Sequence, residues 1–436
     1  MFKKLKLILY IMTKIYFQTH GCSANQSESE IMAGLLEKSG FEIVSNLDDS
    51  DIVILNVCTV KGDETGIREI RKLTETGKKL IIAGCVDKYM LPKIREVNEN
   101  VSIITTHNID SIVDVVEETF NGNSVELMVK KSDLKIGMPK VRKNKIVGIV
   151  PILSGCMGEC AYCSVRMIKG DLISYPPEII AKEVLEAVNS GCKEIWVTSQ
   201  DNGAYGLENN DKSQLPALMK RILDINLDFK VRIGMMNPEH LLSIIDEMIE
   251  IFKHPKVFKF LHLPVQSGND EILEKMNRKY NVMQFERIIE QFKQAIPSIT
   301  ISTDVIVGFP GETEKQFDDS LQLIRKITPG ILNISRFQAR PLTRAAHMDG
   351  QIAGGVVKNR SRLLTEIFSN ISRMNNEKWL GWKGKVLVDE IGKEGSFIAR
   401  NSAYKSIVLK AVLNLGDEVN VKIDEITTFD LRGRVV

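Results

Sequence analysis

No stretch of this 436-residue chain holds the ~20 consecutive apolar residues that a membrane-spanning helix needs. The apolar run near the start, "MFKKLKLILYIM", is short, and no small-residue cleavage site follows it, which argues against a secretory signal. Met12 is an alternative start, since "MTKIYFQT" reads at once as a strand. A dominant charge is missing too. The 58 Lys and Arg face 56 Asp and Glu, a formal net charge of +2, so any nucleic-acid surface must be local. There is no internal repeat and no low-complexity segment. Cysteine is scarce and odd in number, with seven residues. That excludes a disulfide framework and points to a reducing, cytoplasmic compartment, where thiols do metal or catalytic work. What remains is an ordinary soluble composition, 43% hydrophobic and 26% charged, long enough for two or three domains.

Residues 13–123 alternate strand and helix patterns: "TKIYFQT", "DIVILNV", "KLIIAG" and "VSIITT" are strands, each followed by an amphipathic helical stretch. The alternation predicts a parallel, doubly wound α/β sheet. Residues 130–145, "KKSDLKIGMPKVRKNK", carry seven Lys and Arg against one acid and read as a linker or exposed basic ribbon. In 142–373 the alternation resumes, with strands expected at 147–153, 193–199, 229–235, 257–262, 299–306 and 330–336 and a closing helix at 356–380. Six such units fit a partial or full parallel barrel. From 374 to 436 the pattern becomes alternating apolar and polar with Gly, Asn and Asp punctuation, that of a small antiparallel β-barrel.

"SGCMGECAYCSVRMIKG", residues 154–170, places Cys156, Cys160 and Cys163 in the spacing C-x3-C-x2-C. Three thiolates are one too few for a closed tetrahedral metal site. They suffice for three corners of a 4Fe-4S cube, with the fourth iron open. A zinc knuckle that borrows a distant ligand is the alternative, although no His or Cys follows closely. The loop follows the first barrel strand, on the face where βα loops build active sites.

Cys22, Cys58 and Cys85 are unrelated by spacing but share a setting. Each comes directly after a strand, in "YFQTHGC", "VILNVC" and "LIIAGC". The carboxyl ends of parallel strands share one edge, so three thiols can meet there as a second three-ligand site. Three buried apolar cysteines are the alternative. Cys192 opens a strand and reads as structural.

The C-x3-C-x2-C motif, with Tyr162 before its third cysteine, resembles the signature of radical S-adenosylmethionine enzymes. "QTHGCSANQSESE", "NVCTVKGDE", "IIAGCV", "RMIKGDLISYP", "TSQDNGAYG", "LHLPVQSGND" and "STDVIVGFPGET" extend the resemblance to the methylthiotransferases of that superfamily. "TSQDNGAYG", "GMMNP" and "VVKNRSR" are most similar to the archaeal and eukaryotic branch. The resemblance implies an N-terminal auxiliary-cluster domain, a radical core and a C-terminal TRAM barrel that binds RNA. It also implies two 4Fe-4S clusters and S-adenosylmethionine, whose cleavage yields a 5′-deoxyadenosyl radical. The implied reaction adds methylthio at C2 of the adenine in N6-threonylcarbamoyladenosine at tRNA position 37. The anticodon arm is then the partner, beside an electron donor and a sulfur source that the sequence does not name. A relative acting on isopentenyladenosine or a ribosomal-protein aspartate is one alternative; a zinc-containing, non-enzymatic RNA-binding protein is another.

Within that reading Gln200, Asp201, Gln266 and Asp304, at strand ends, are candidates to face S-adenosylmethionine, with caps and turns as the plainer role. Arg336, Arg340, Arg344, Lys358, Arg360 and Arg362 fall within 27 residues that hold one acid, Asp349, a stripe fit for phosphates or simply a solvated face. Tyr404 and Phe397 are candidates to stack on a base. Leu342 and Arg344, in "RPLTRAA", depart from the family's R-P-G-T-x-A-A pattern.

Overall fold

The computed structural model describes residues 13–58, 63–131 and 134–436, so Met12 lies outside the described residues. The chain forms two compact units. The first takes in residues up to 143 together with 149–157 and 164–180; the second comprises 144–148, 158–163 and 181–436.

The first unit is built on a six-stranded sheet of β1 (Lys14–Thr19), β2 (Glu42–Val44), β3 (Ile52–Val57), β4 (Lys79–Gly84), β5 (Ser102–Thr105) and β6 (Glu126–Leu127). Its order is β2-β1-β3-β4-β5-β6 and every pairing is parallel. Alternation along β3 explains the two layers. Ile52 and Ile54 join Ile31, Met32 and Leu36 on one face, while Val53, Leu55 and Val57 join Ile70, Leu73 and Met90 on the other. Both faces are covered, so the strands read as unbroken apolar runs. The two edge strands, β2 and β6, have only three and two residues and leave no such run, so the sequence pattern passes over them.

The basic segment 130–145 is not simply an exposed ribbon. Lys135 and Ile136 are buried, and the backbone of Pro139 lies where a Cβ on Gly34 would stand, 2.4 Å away. A buried carboxylate, Glu28, receives the Lys135 ammonium at 3.0 Å, which is why a lysine tolerates the interior. Strand β7 (Val147–Pro151) leads to the antiparallel pair β8 (Leu153–Ser154) and β9 (Ile173–Ser174), and the short helix Val165–Lys169 lies between those two strands in sequence.

In the second unit, β10 (Glu194–Thr198) and β11 (Lys230–Ile233) pair in parallel, and β7 continues that sheet in the order β11-β10-β7. A second parallel sheet holds β12 (Phe260–His262), β13 (Thr300–Val307) and β14 (Ile331–Arg336). A single parallel bridge, Val231 to Val257, links the two runs. The result is a six-strand, open half-barrel with its strands where the sequence places them. The closing helix, Gly354–Glu377, packs over β14.

The tail closes into a five-stranded barrel of β15 (Lys383–Ile391), β16 (Phe397–Arg400), β17 (Ser406–Leu409), β18 (Glu418–Ile426) and β19 (Leu431–Val435). Its pairings are antiparallel except β17 with β19, which run parallel and complete the ring. Closure removes the free edges of a small sheet. Among the described residues no helix is long and apolar enough to cross a membrane.

The barrel is fastened to the half-barrel by hydrogen bonds. Lys259 N donates to Ser402 O at 2.7 Å, and Thr300 Oγ1 to Ala403 O at 2.7 Å. Tyr404 is therefore not free to stack on a base. It is buried against Phe258 and Phe260, lies beneath Arg232 and Arg400, and donates to Glu194 at 2.8 Å. Phe397 is likewise half-buried against the barrel core.

Glu194 is fully buried, and burial, followed by neighbouring Asp389, pushes its carboxyl from 4.5 up to about 7. A carboxyl with a raised folded pKa stabilises the fold in its protonated form. That contribution is complete below about 4.5 and is lost as pH rises through about 7. Glu194→Gln keeps a neutral acceptor for Tyr404. It should flatten the fall of thermal stability across that window, and a melting profile parallel to the parent's would contradict the assignment.

Candidate active site

Cys22, Cys58 and Cys85 stand where β1, β3 and β4 release the chain, and the fold brings them together. Cys58 shares thiol hydrogen bonds with both Cys22 and Cys85. These bonds push the Cys58 thiol up and those of Cys22 and Cys85 down, and the ammonium of Lys169 adds to the lowering. Asn25 ties the trio to the sheet. Its Oδ1 accepts from Cys22 Sγ at 3.3 Å, and its Nδ2 lies 3.9 Å from Cys85 Sγ and 2.9 Å from Asn56 Oδ1. Gly84, at φ +98°, makes the turn into Cys85, and a Cβ there would meet Asn56 Oδ1 at 2.1 Å. Cys58 and Cys85 are buried and Cys22 is exposed, so the trio has one open side. Among the described residues no His, Cys, Asp or Glu trio is set for a single metal ion; here the three sulfurs lie against one another. A donor set of three thiols without a fourth ligand fits an iron–sulfur cube with one open iron.

The loop with the other trio is held residue by residue. In the first unit Cys156 N donates to Gly170 O at 3.2 Å, and Gly155, at φ +76°, comes so close to Asp171 that a Cβ would sit 1.9 Å from its carbonyl oxygen. In the second unit Cys163 N donates to Cys160 O at 3.1 Å, and Ala161 pairs with the backbone of Met276 and Ala345. Arg278 Nη1 donates to Cys160 Sγ at 3.0 Å while its guanidinium stacks on Tyr280. Tyr162 is half-buried beside Ala161, Ile272, Met276 and Phe309. Arg344, one of the two departures from the family pattern, donates to Glu159 O at 2.8 Å, as Asn277 does. Its side chain thus grips the cysteine loop.

The strand-end polar residues divide. Asp201 does not present a free carboxylate to a cofactor. It is buried, accepts from Gly203 N and Asn237 N at 3.0 and 2.9 Å, and meets His240 Nδ1 at 2.7 Å, so it organises the loops after β10 and β11. Among the described residues, Gln200 Oε1 and Ser199 Oγ have no hydrogen-bond partner although both are buried. Buried polar atoms of this kind are usually met by water or by a ligand. Asp304 is held by His262 at 3.2 Å and Asn333 at 2.6 Å. Gln266 takes a left-handed conformation, φ +73°, and its backbone bridges to β13 through Asp304 O and Ile306 N. Such strain in a non-glycine residue is characteristic of functional loops.

Of the basic stripe, Arg336, Lys358 and Arg362 are exposed and Arg340 is half-buried. Arg360 is not a phosphate contact. Its side chain is 5% exposed, with Nη1 2.8 Å from Glu312 and Nη2 2.7 Å from Glu314. In a helix pattern the two neighbours look alike; only the Glu312 partner, 48 residues away, separates them.

Residues 150–324 match the radical SAM superfamily, 14–106 the uncharacterized protein family UPF0004, and 381–436 the TRAM domain. A solved radical S-adenosylmethionine methyltransferase, TsrM of Kitasatospora setae, shares the fold at a TM-score of 0.54 and 14% identity, covering 76% of this chain and 74% of that one. The cysteine loop on a parallel half-barrel defines a radical S-adenosylmethionine enzyme. A Pyrococcus horikoshii protein named "Probable threonylcarbamoyladenosine tRNA methylthiotransferase" is 43% identical over 404 residues, 91% of this chain and 94% of the relative. The Homo sapiens threonylcarbamoyladenosine tRNA methylthiotransferase is 36% identical over 435 residues, 97% of this chain and 74% of the relative. The chain belongs to the threonylcarbamoyladenosine tRNA methylthiotransferases.

Anaerobic reconstitution should give about eight irons per chain, and replacing Cys156, Cys160 and Cys163 with Ala should remove about half. Full iron in that variant would overturn the two-site assignment. Arg360→Met leaves Glu312 buried and unpaired, which should cost about 3–5 kcal/mol in denaturant unfolding. Arg362→Met, at an exposed position, should change it by less than about 0.5 kcal/mol; equal effects would place Arg360 on the surface after all.

Proposed function

We infer that this protein transfers a methylthio group to C2 of the adenine in N6-threonylcarbamoyladenosine at tRNA position 37, giving 2-methylthio-N6-threonylcarbamoyladenosine. The observation that carries the reading is the pair of three-cysteine sets, each without a fourth ligand, in a chain of this family. The adenine C2–H bond offers no proton that a side-chain base removes at neutral pH, so acid–base chemistry alone does not serve. When bound, the two clusters and S-adenosylmethionine supply a hydrogen-abstracting radical and a methylated sulfur.

The chain's own residues bind and position. Cys156, Cys160 and Cys163 would hold the core cluster, with Arg278 orienting Cys160, and Cys22, Cys58 and Cys85 the auxiliary one. Gln200 and Ser199, whose oxygens lack partners, would accept hydrogen bonds from S-adenosylmethionine, beside Gln266 and Asp304. Asp201 supports that site through the loop backbone and His240. Arg336, Arg340, Lys358 and Arg362 are the basic groups for the phosphates of an anticodon arm, which fix register without reading sequence. The target base must leave its stack to reach the site. A cytoplasmic location is part of the same reading, and the electron donor and sulfur source are further partners.

Anaerobic turnover with matched tRNAs, with and without the threonylcarbamoyl group, followed by nucleoside mass spectrometry, tests the assignment. Product should form only on the modified tRNA, while both tRNAs bind with similar salt dependence. Equal product from both would refute the specificity, and product only on isopentenylated tRNA would assign another substrate.

A further inference from the structure

Three charged side chains are buried together in the first unit, beside the Cys22, Cys58 and Cys85 site. Glu28 Oε1 accepts from Lys169 Nζ at 2.8 Å and from Lys135 Nζ at 3.0 Å, and also from Thr106 Oγ1. The side chains of Lys169, Lys135 and Glu28 are only 5%, 10% and 6% exposed. Both lysines also reach Thr106 Oγ1, at 3.1 and 2.6 Å. Two ammonium groups against one carboxylate leave a net +1 in the interior. An unbalanced buried charge costs several kcal/mol, so folded proteins place a counter-charge beside it.

The thiol trio lies close by, along the helix that carries Glu28. Cys22 caps the start of helix Ser23–Lys38, Asn25 touches both Cys22 and Cys85, and Glu28 follows Asn25 by three residues, one turn along the same helix face. Lys169, bonded to Glu28, therefore sits one turn from the sulfurs. Burial opposes the Lys169 ammonium, and Cys85, Glu28 and Cys22 are the neighbours whose charge acts on it in the other direction. A 4Fe-4S core of charge +2 on three thiolates carries a net −1, and one-electron reduction makes it −2. The interior around it carries the opposite sign.

Resting on the two-cluster reading above, we propose that Lys169 is a positioning residue of the auxiliary site, whose buried ammonium supplies the counter-charge for negative charge gathered at the cluster of Cys22, Cys58 and Cys85. The same attraction acts on an added electron and on an anionic sulfur such as hydrosulfide at the open iron. Lys135 shares Glu28 but is held chiefly by that carboxylate, so its effect on the sulfurs is weaker.

The test uses the full chain with Cys156, Cys160 and Cys163 replaced by Ala, so that only the auxiliary cluster reports its midpoint potential in an EPR-monitored redox titration. Absence of iron in this parent would overturn the two-cluster reading and the proposal with it, before Lys169 is touched. With iron bound, Lys169→Met should make reduction at least tenfold harder, about 59 mV lower for one electron. Lys169→Arg should restore the parent potential, and Lys135→Met should shift it less. Glu28→Gln, which adds one net positive charge at constant volume, should move the potential up; it carries the test if Lys169→Met does not fold. An unchanged potential in a fully loaded Lys169→Met, equal shifts for the two lysines, or no rise with Glu28→Gln would overturn the proposal while leaving the two-cluster reading intact.

Discussion

Parallel strands all release the chain at the same edge, and the meeting of Cys22, Cys58 and Cys85 follows from that constraint. Each strand of the first sheet ends in a short loop, so residues 27 or more positions apart in sequence can meet without any long excursion of the backbone. Hydrogen bonding along β1, β3 and β4 fixes the height at which each loop begins. The thiols then need only one short step each to touch. Gly84 and Asn25 trim that geometry, one by giving way to a neighbour and the other by holding two sulfurs at once.

Buried charge is the second theme. Glu28 with its two lysines, Arg360 with Glu312, and Glu194 beneath Tyr404 all put ionisable groups where the apolar pattern gives no warning. Each is matched by a partner far away in sequence. Glu28, held by Lys135 and Lys169 despite its burial, has its carboxyl drawn down to about 2, whereas at Glu194 burial, with Asp389 adding to it, pushes the carboxyl the other way. The same burial therefore yields opposite protonation, decided by the sign of the neighbour.

These partners mark the limit of what the sequence discloses. The six half-barrel strands, the four long strands of the first sheet and the tail barrel follow from apolar periodicity and turn residues, which are local. So does the meeting of Cys22, Cys58 and Cys85, because strand ends are local too. Lys135, Arg360 and Tyr404 escape that reading, since a surface lysine, a helical arginine and a loop tyrosine look the same whether or not a distant carboxylate waits for them. Lys169 sat inside a recognisable stretch, "RMIKGDLISYP", and Arg278 in none, and nothing in the spacing set either apart from its basic neighbours. β2 and β6 were too short to show a period at all.

The tail barrel is tied to the amino ends of the half-barrel strands: Glu194 opens β10, Lys259 precedes β12 and Thr300 opens β13. Gln200, Gln266 and Arg336 lie at the opposite, carboxyl ends. At roughly 3.3 Å per residue, the eight residues of β13 separate those two levels by about 23 Å. Any ligand that touched both ends would have to reach across that thickness. A ligand shorter than that distance meets one end of the strands only, whatever its chemistry.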